Sequence, residues 1–91
     1  MKEYYVKIFG KVQGVFFRQS TKVMADQLGV NGWVKNCEDG TVEALFIGNL
    51  SDLKRLLAWV HQGPEQAIVE KVQLISEKDC TKLVEGFNIL Y

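Results

Sequence analysis

The sequence has few of the residues from which metal sites and disulfide frameworks are built. Its 91 residues include one histidine and two cysteines, Cys37 and Cys80, and it has no Cys-x-x-Cys motif. A structural zinc site needs about four nitrogen or sulfur ligands, so the sequence predicts no metal. Two distant cysteines in an intracellular chain are more often thiols than a disulfide, but the sequence leaves that pairing open.

The sequence also lacks an excess of charge of either sign and any long hydrophobic run. Eleven basic and eleven acidic side chains cancel at neutral pH, whereas proteins that bind nucleic acids usually carry a basic excess. No apolar run approaches the length of a membrane-spanning helix, and the first four residues do not begin a signal peptide. We therefore expect a cytoplasmic protein that binds neither nucleic acid nor membrane.

What the sequence does have is enough apolar material for one ordinary core. Hydrophobic residues make up 47% of the chain, and the length allows one domain, which we expect to span residues 1–91. Nothing in the sequence requires more than a monomer.

The hydrophobic periodicity predicts two helices among strands. The expected elements are, in order, a strand over residues 4–9, a helix from 18 or 19 to about 28, strands over 32–37 and 41–47 joined by the Asp39-Gly40 turn, a helix that begins at Asn49 or Ser51 and ends at Gly63-Pro64, a strand over 69–75, a polar loop over 76–86 and a last strand over 87–90. We expect Val23, Met24 and Leu28 to share the buried side of the first helix.

Two helices on one face of an antiparallel sheet would bury both apolar stripes. The order of elements therefore predicts an α+β, ferredoxin-like βαββαβ sandwich with a short extra C-terminal strand. Because many unrelated activities use this fold, the function has to be inferred from particular residues.

Residues 10–18, Gly-Lys-Val-Gln-Gly-Val-Phe-Phe-Arg, lie between the first strand and the first helix. A glycine-bearing loop in this position turns backbone N–H groups inward, and the helix adds the positive end of its dipole. Arg18 carries a planar guanidinium that stays charged and matches the geometry of a phosphate. The segment therefore predicts a phosphate-binding loop. We expect its apolar side chains to anchor it in the core: Val12, Val15, Phe16 and Phe17.

Asn36 is expected to lie beside this loop. In a ferredoxin-like sheet the first and second strands run in the same direction with the third between them, so the first loop and the end of the second strand share one edge. Alternation along the second strand places Val34 and Asn36 on one face, and Trp33 and Lys35 on the other. The loop, Arg18 and the Asn36 amide would then converge on one point.

These segments resemble the two signatures of the acylphosphatase family. The first is residues 10–18, and the second is Gly-Trp-Val-Lys-Asn at residues 32–36, followed by Asp-Gly-Thr-Val-Glu at 39–43 and by Gly48. The resemblance covers the whole chain in length and element order. It implies hydrolysis of the carboxyl–phosphate bond of acyl phosphates to a carboxylate and inorganic phosphate, without a metal or other cofactor.

The resemblance also implies roles for individual residues. Arg18 would bind the phosphoryl group, and Asn36 would hold the attacking water. Six backbone amides would cradle the phosphate oxygens, namely those of Gln13, Gly14, Val15, Phe16, Phe17 and Arg18. The expected partners are a small acyl phosphate as substrate and inorganic phosphate as product and competitive inhibitor.

The end of the chain offers a further contact for the site. Phe87, Ile89 and Tyr91 alternate, which predicts that the terminal carboxylate lies near the edge of the sheet. There it would hold the guanidinium of Arg18 before substrate arrives.

Two other functions stay open at the level of the sequence. A non-catalytic ferredoxin-like module would bind phosphate, RNA or a protein, and Tyr5 and Phe9 are the aromatics on which RNA bases would stack. The zero net charge and Glu43 on the third strand disfavour RNA. An acylphosphatase-like part of a larger protein that handles carbamoyl phosphate would carry further domains. Because this chain is short, we expect the free enzyme.

Overall fold

A computed structural model describes residues 1–80 and 84–91 of the chain. The elements, in chain order, are β1 (Lys2–Lys11), α1 (Phe17–Leu28), β2 (Asn31–Asn36), β3 (Val42–Gly48), α2 (Leu50–Gln62), β4 (Ile68–Asp79) and β5 (Phe87–Leu90). The strands form one sheet in the order β4-β1-β3-β2-β5. No helix in the described part of the chain is long and apolar enough to cross a bilayer.

The sheet has the predicted ferredoxin-like topology. β3 lies between β1 and β2 and is antiparallel to both, so β1 and β2 run in the same direction and end at the same edge. β5 adds to the outer side of β2 in a parallel pairing that sets Gly32 opposite Phe87. The sheet is therefore mixed rather than antiparallel throughout, because β5 is parallel to β2 while the other neighbouring strands are antiparallel.

The core lies between the two helices and one face of the sheet. Each of the central strands turns alternate residues toward it, which is the period of two that its sequence predicts. The fully buried side chains include Val6 and Ile8 of β1, Val34 of β2, Val42, Ala44 and Phe46 of β3, and Leu53, Leu56 and Val60 of α2. Burial of this apolar surface fixes the end of β1, and hence the start of the loop that follows it.

α1 begins at Phe17, one or two residues earlier than the sequence predicts. Its buried face consists of Phe17, Thr21 and Ala25. The buried Thr21 hydroxyl is satisfied because it donates to the backbone oxygen of Phe17 at 2.7 Å. The prediction that Val23 lies on the buried side is wrong, since that side chain is 54% exposed. The helix is capped by Gly29, which has a left-handed backbone conformation (φ 70°). Its amide donates to the backbone oxygens of Ala25 and Asp26.

α2 has the capped start that the sequence predicts. The Asn49 side-chain oxygen accepts from the Asp52 amide at 3.1 Å. The helix ends before Gly63, whose amide donates to the Trp59 oxygen.

β4 is longer than the sequence predicts. Residues 76–79, expected in a loop, continue the strand and pair with the start of β1, with Lys2 opposite Asp79. This segment is polar because it is an edge that contributes little to the core, and its Lys2–Asp79 ion pair of 2.8 Å is exposed to solvent. Residues 80 and 84–86 of the expected loop have no helix or strand, and residues 81–83 lie outside the described residues.

Candidate functional site

The segment between β1 and α1 makes its turn with left-handed backbone conformations at alternate residues. Gly14 has φ 73° and Phe16 has φ 62°, and Val15 between them is buried. Alternation of this kind turns successive amides toward one concave side, as in other anion-binding loops. Val12, Val15 and Phe17 hold the segment to the core, as predicted, with exposures of 3% or less.

The amides of this loop are available to a ligand. Within the described residues, no backbone N–H from Gln13 to Gln19 donates a hydrogen bond to the protein. The first amides of α1 belong to this set, because the start of a helix has no preceding turn to accept from them. They add the positive end of the helix dipole to the loop, and the combination favours an anion.

The side chain of Gln13 fastens the loop to the hairpin between β2 and β3. Its Nε2 atom donates to the backbone oxygen of Cys37 at 2.8 Å and to that of Thr41 at 2.9 Å. The sequence assigned Gln13 to the site through its amide, and the motif gave no sign of this structural role for the side chain. The two hydrogen bonds fix the distance between the loop and the end of β2, where Asn36 lies.

Asp39 holds the turn of that hairpin in place. Its carboxylate accepts from the Thr41 amide at 3.1 Å and from the Thr41 hydroxyl, and pairs with Lys7 Nζ at 3.0 Å. These hydrogen bonds lower the pKa of Asp39 from 3.8 to about 2, and the one from the Thr41 hydroxyl contributes most to the shift. The carboxylate is therefore charged throughout the neutral range and keeps the backbone oxygen of Thr41 in reach of Gln13.

Arg18 and Asn36 line one depression of about 180 Å³. Its lining residues are Val12, Gly14, Phe16, Phe17, Arg18, Gln19 and Asn36. The sequence therefore predicted correctly that the loop and the end of β2 meet. It missed Gln19, which enters the lining because α1 begins at Phe17 and exposes its first turn there.

The side-chain oxygen of Asn36 is buried and has no hydrogen-bond partner among the described residues. Buried polar atoms in native proteins are nearly always paired, so an unpaired oxygen on a residue that lines a depression indicates a ligand or water site. An amide oxygen accepts hydrogen bonds and carries no charge, so it suits a water molecule better than an anion.

Arg18 has an aromatic neighbour rather than an acidic one. Its guanidinium carbon lies 4.9 Å from the centroid of the Tyr91 ring. No Asp or Glu side chain of the described residues forms an ion pair with it, so its charge is available to a ligand. The ion pairs of the described residues also include none between Arg18 and the terminal carboxylate, so the contact expected from the alternation of the last strand is not seen.

Phe16 does not anchor the loop, and that prediction is wrong. Its side chain is 67% exposed at the rim of the depression. The positive φ at this residue turns the side chain away from the core into which its neighbours Val15 and Phe17 are packed.

The two cysteines do not form a disulfide with each other.

The ferredoxin-like sandwich defines a small α+β protein, and its loop amides, Arg18 and Asn36 form a candidate anion site at one edge of the sheet. The acylphosphatase family model matches residues 4–89. A curated acylphosphatase of Syntrophus aciditrophicus (strain SB) is 45% identical over the whole of this chain and 94% of its own length.

Solved acylphosphatase structures have the same fold as this chain. The crystal structure of acylphosphatase from Bacillus subtilis superposes with a TM-score of 0.96 at 33% identity and covers all of both chains. The structure of an acylphosphatase from Coxiella burnetii gives 0.82 at 36% identity, over 98% of this chain and 92% of that one. The chain belongs to the acylphosphatase family. It is an enzyme of the hydrolase class.

Proposed function

We propose that this chain hydrolyses small acyl phosphates by attack of one water molecule on phosphorus, with Arg18 and the loop amides holding the phosphoryl group and Asn36 orienting the water. The observation that carries the assignment is the buried, unpaired side-chain oxygen of Asn36, a residue that lines the same depression as Arg18. A phosphate-binding module without catalysis would need the arginine and the amides, which are donors, but would not need an uncharged acceptor beside them.

The phosphoryl group is held through charge and directed hydrogen bonds. Amides from Gln13 to Arg18 supply donors that have no partner among the described residues, and Arg18 supplies a planar pair of donors with a full positive charge. These groups are in place before the substrate arrives, so they stabilise the charge that spreads over the phosphoryl oxygens in the transition state. The loop is rigid enough for this because its apolar residues and Gln13 fasten it.

The water is positioned rather than deprotonated by the protein. The Asn36 oxygen accepts one hydrogen of the water, which turns a lone pair of the water oxygen toward phosphorus. A bond forms between that oxygen and phosphorus while the bond from phosphorus to the carboxyl oxygen breaks. The electron pair leaves on the carboxylate, and a proton of the water passes to a phosphoryl oxygen.

The chemistry of the leaving group explains why so few residues suffice. A carboxylic acid has a pKa of about 4, so the carboxylate departs at neutral pH without a general acid. Positioning and charge stabilisation are the remaining requirements, and a loop and an arginine supply both. We therefore propose a reaction that needs neither metal nor cofactor.

The depression is formed by one chain, so a monomer is sufficient for the reaction we propose. We further propose that residues 1–91 act as one domain and that the protein works in the cytoplasm.

RNA binding is less well supported. The Tyr5 hydroxyl donates to Glu43 at 2.8 Å, which places a carboxylate beside the aromatic face that RNA would need.

The test is the ultraviolet decay of benzoyl phosphate with purified protein in excess chelator, with and without inorganic phosphate. We expect hydrolysis that resists the chelator and that phosphate inhibits competitively. A folded protein that binds phosphate without turnover would support the non-catalytic module instead. Activity that disappears in chelator would contradict the metal-free reaction.

A further inference from the structure

Phe16 lines the depression with an apolar side chain that is not part of the core. It is 67% exposed, whereas Val15 and Phe17 on either side of it are 3% and 2% exposed. Aromatic side chains contribute to stability by burial, and this one contributes little. Its position at the rim of the depression is therefore not explained by packing of the core.

The backbone at Phe16 makes the presence of a large side chain more unusual. Among the described residues it alone combines a side chain larger than hydrogen with a positive φ, 62°. Glycine adopts this conformation freely, whereas a bulky residue is strained in it. A site that needed only the amide of residue 16 would be served better by glycine. Strain of this kind is concentrated where a side chain has a functional role.

The other apolar side chains that line the depression are buried, so they offer a substrate almost no accessible surface. Val12 and Phe17 line the depression but are 1% and 2% exposed. Gly14 and Gln19, which are exposed, offer backbone and polar groups. Phe16 is thus the exposed apolar side chain among the lining residues that the structure describes.

An acyl phosphate has two chemically different ends. The phosphoryl end carries the negative charge and requires Arg18 and the amides, so the acyl end is left to extend toward solvent. Phe16 is the group that an apolar acyl substituent can cover there. Contact between two rings removes apolar surface of both from water and adds the preference of aromatic pairs for each other.

We propose that the Phe16 side chain packs against the acyl group and makes the enzyme prefer acyl phosphates with aromatic or large apolar acyl groups over acetyl phosphate. This assignment depends on the proposed function, since it needs a bound acyl phosphate. It names a determinant of substrate class, whereas phosphate binding and catalysis stay with the loop amides, Arg18 and Asn36.

The test compares the kcat/KM for benzoyl phosphate with that for acetyl phosphate in the full chain and in Phe16→Gly. The ratio of the two values cancels any effect of the substitution on the loop backbone, because both substrates share the phosphoryl group. Aromatic pairs contribute enough to change binding about 2- to 12-fold, so we expect the ratio to fall by that factor. The fall should appear as a higher KM for benzoyl phosphate, since the contact is present before and during the reaction.

Two further variants separate this contact from an effect on folding. Phe16→Tyr keeps the ring and should keep the wild-type ratio. Ile75→Ala removes another exposed apolar side chain, 45% exposed, from β4 outside the lining of the depression, and should also keep it. Glycine relieves the positive φ at residue 16, so we expect Phe16→Gly to fold, and urea unfolding checks this.

A ratio unchanged in Phe16→Gly would overturn the assignment, as would an equal change in Ile75→Ala. Wild-type protein that hydrolyses neither substrate would overturn the proposed function, and this assignment with it. The two failures are distinct, because the first requires measurable turnover of both substrates and the second requires none.

Discussion

The guanidinium carbon of Arg18 lies 4.9 Å from the centre of the Tyr91 ring, so the last residue of the chain meets the proposed phosphate-binding arginine. Tyr91 is 95% exposed, and an exposed contact between a cation and an aromatic ring contributes about 0.5–1 kcal/mol. The guanidinium carbon lies over the ring, and no acidic side chain of the described residues forms an ion pair with Arg18. The contact therefore restricts the orientation of Arg18 without neutralising it.

Tyr91→Ala should weaken phosphate binding and lower kcat/KM about 2- to 5-fold, the factor that corresponds to loss of the ring contact. Tyr91→Phe keeps the ring and should behave as wild type. Inhibition by inorganic phosphate and turnover of benzoyl phosphate measure the two effects. Deletion of Tyr91 removes the same ring and should lower both values to a similar extent. Wild-type values in Tyr91→Ala would show that the ring does not orient Arg18.

Arg18→Ala should damage both phosphate affinity and turnover, with kcat/KM lower by about 10²- to 10³-fold, because it removes the charge and the donors that face the phosphoryl group. Arg18→Lys should recover little, since a point charge lacks the planar pair of donors. Steady-state kinetics and phosphate inhibition measure both. Arg55→Ala, an exposed arginine on α2, is the matched control and should have no effect. Recovery of most of the activity in Arg18→Lys would argue against two-point recognition.

Asn36→Ala should lower kcat by about 10²-fold or more and leave phosphate affinity within about twofold, because the oriented water matters in the transition state. Calorimetric titration with phosphate and initial rates with benzoyl phosphate separate the two quantities. Asn88→Ala on β5 removes an exposed amide and serves as the control. The assigned role is wrong if the variant binds phosphate weakly but retains its kcat.

Gln13→Ala should reduce the free energy of unfolding by about 1–3 kcal/mol, since it removes two hydrogen bonds and leaves two backbone oxygens of the hairpin with one partner fewer. Urea unfolding measures this, and Gln27→Ala on the exposed side of α1 is the control. The loop should also become less ordered, so we expect the KM for benzoyl phosphate to rise. Unchanged stability together with unchanged KM would show that Gln13 does not fix the loop.

Asp39→Asn should remove a pH dependence of stability in the acid range. The folded pKa of Asp39, about 2, lies below its ordinary value of 3.8, so the stabilisation is complete above that ordinary value and disappears as the pH falls toward 2. At neutral pH the variant should therefore be less stable than wild type, and the difference should shrink as the pH falls from 3.8 toward 2 and vanish below that. Thermal unfolding across this range measures it, with Glu38→Gln on the same turn as the control. A difference between Asp39→Asn and wild type that persists unchanged to pH 2 would contradict the ion pair and hydrogen bonds as its origin.

Much of the fold could be predicted because its signals are local. The alternation of Val6 and Ile8 predicts β1, the Asp39-Gly40 turn predicts the hairpin, and Asn49 predicts the start of α2. The end of β4 has no such signal, because a polar edge strand is stabilised by its pairing with β1 and by ion pairs rather than by apolar alternation. Pairing of this kind is a tertiary property.

Part of the candidate site can likewise be predicted from the sequence, and part cannot. The motif predicts the meeting of Arg18 and Asn36 because the topology brings two strand ends to one edge. It does not predict that the Gln13 side chain binds the hairpin or that Phe16 is exposed, since both depend on backbone dihedral angles of the loop. The ring of Tyr91 over Arg18 depends likewise on the packing of β5 beside β2.

The most direct test of the proposed mechanism is hydrolysis of benzoyl phosphate in water enriched in the heavy oxygen isotope, followed by mass spectrometry of both products. Attack on phosphorus by a water held at Asn36 predicts that the heavy oxygen enters the inorganic phosphate and that the benzoate carries none. Heavy oxygen in the benzoate would mean that water attacks the carbonyl carbon, and would contradict the roles assigned to Asn36 and Arg18.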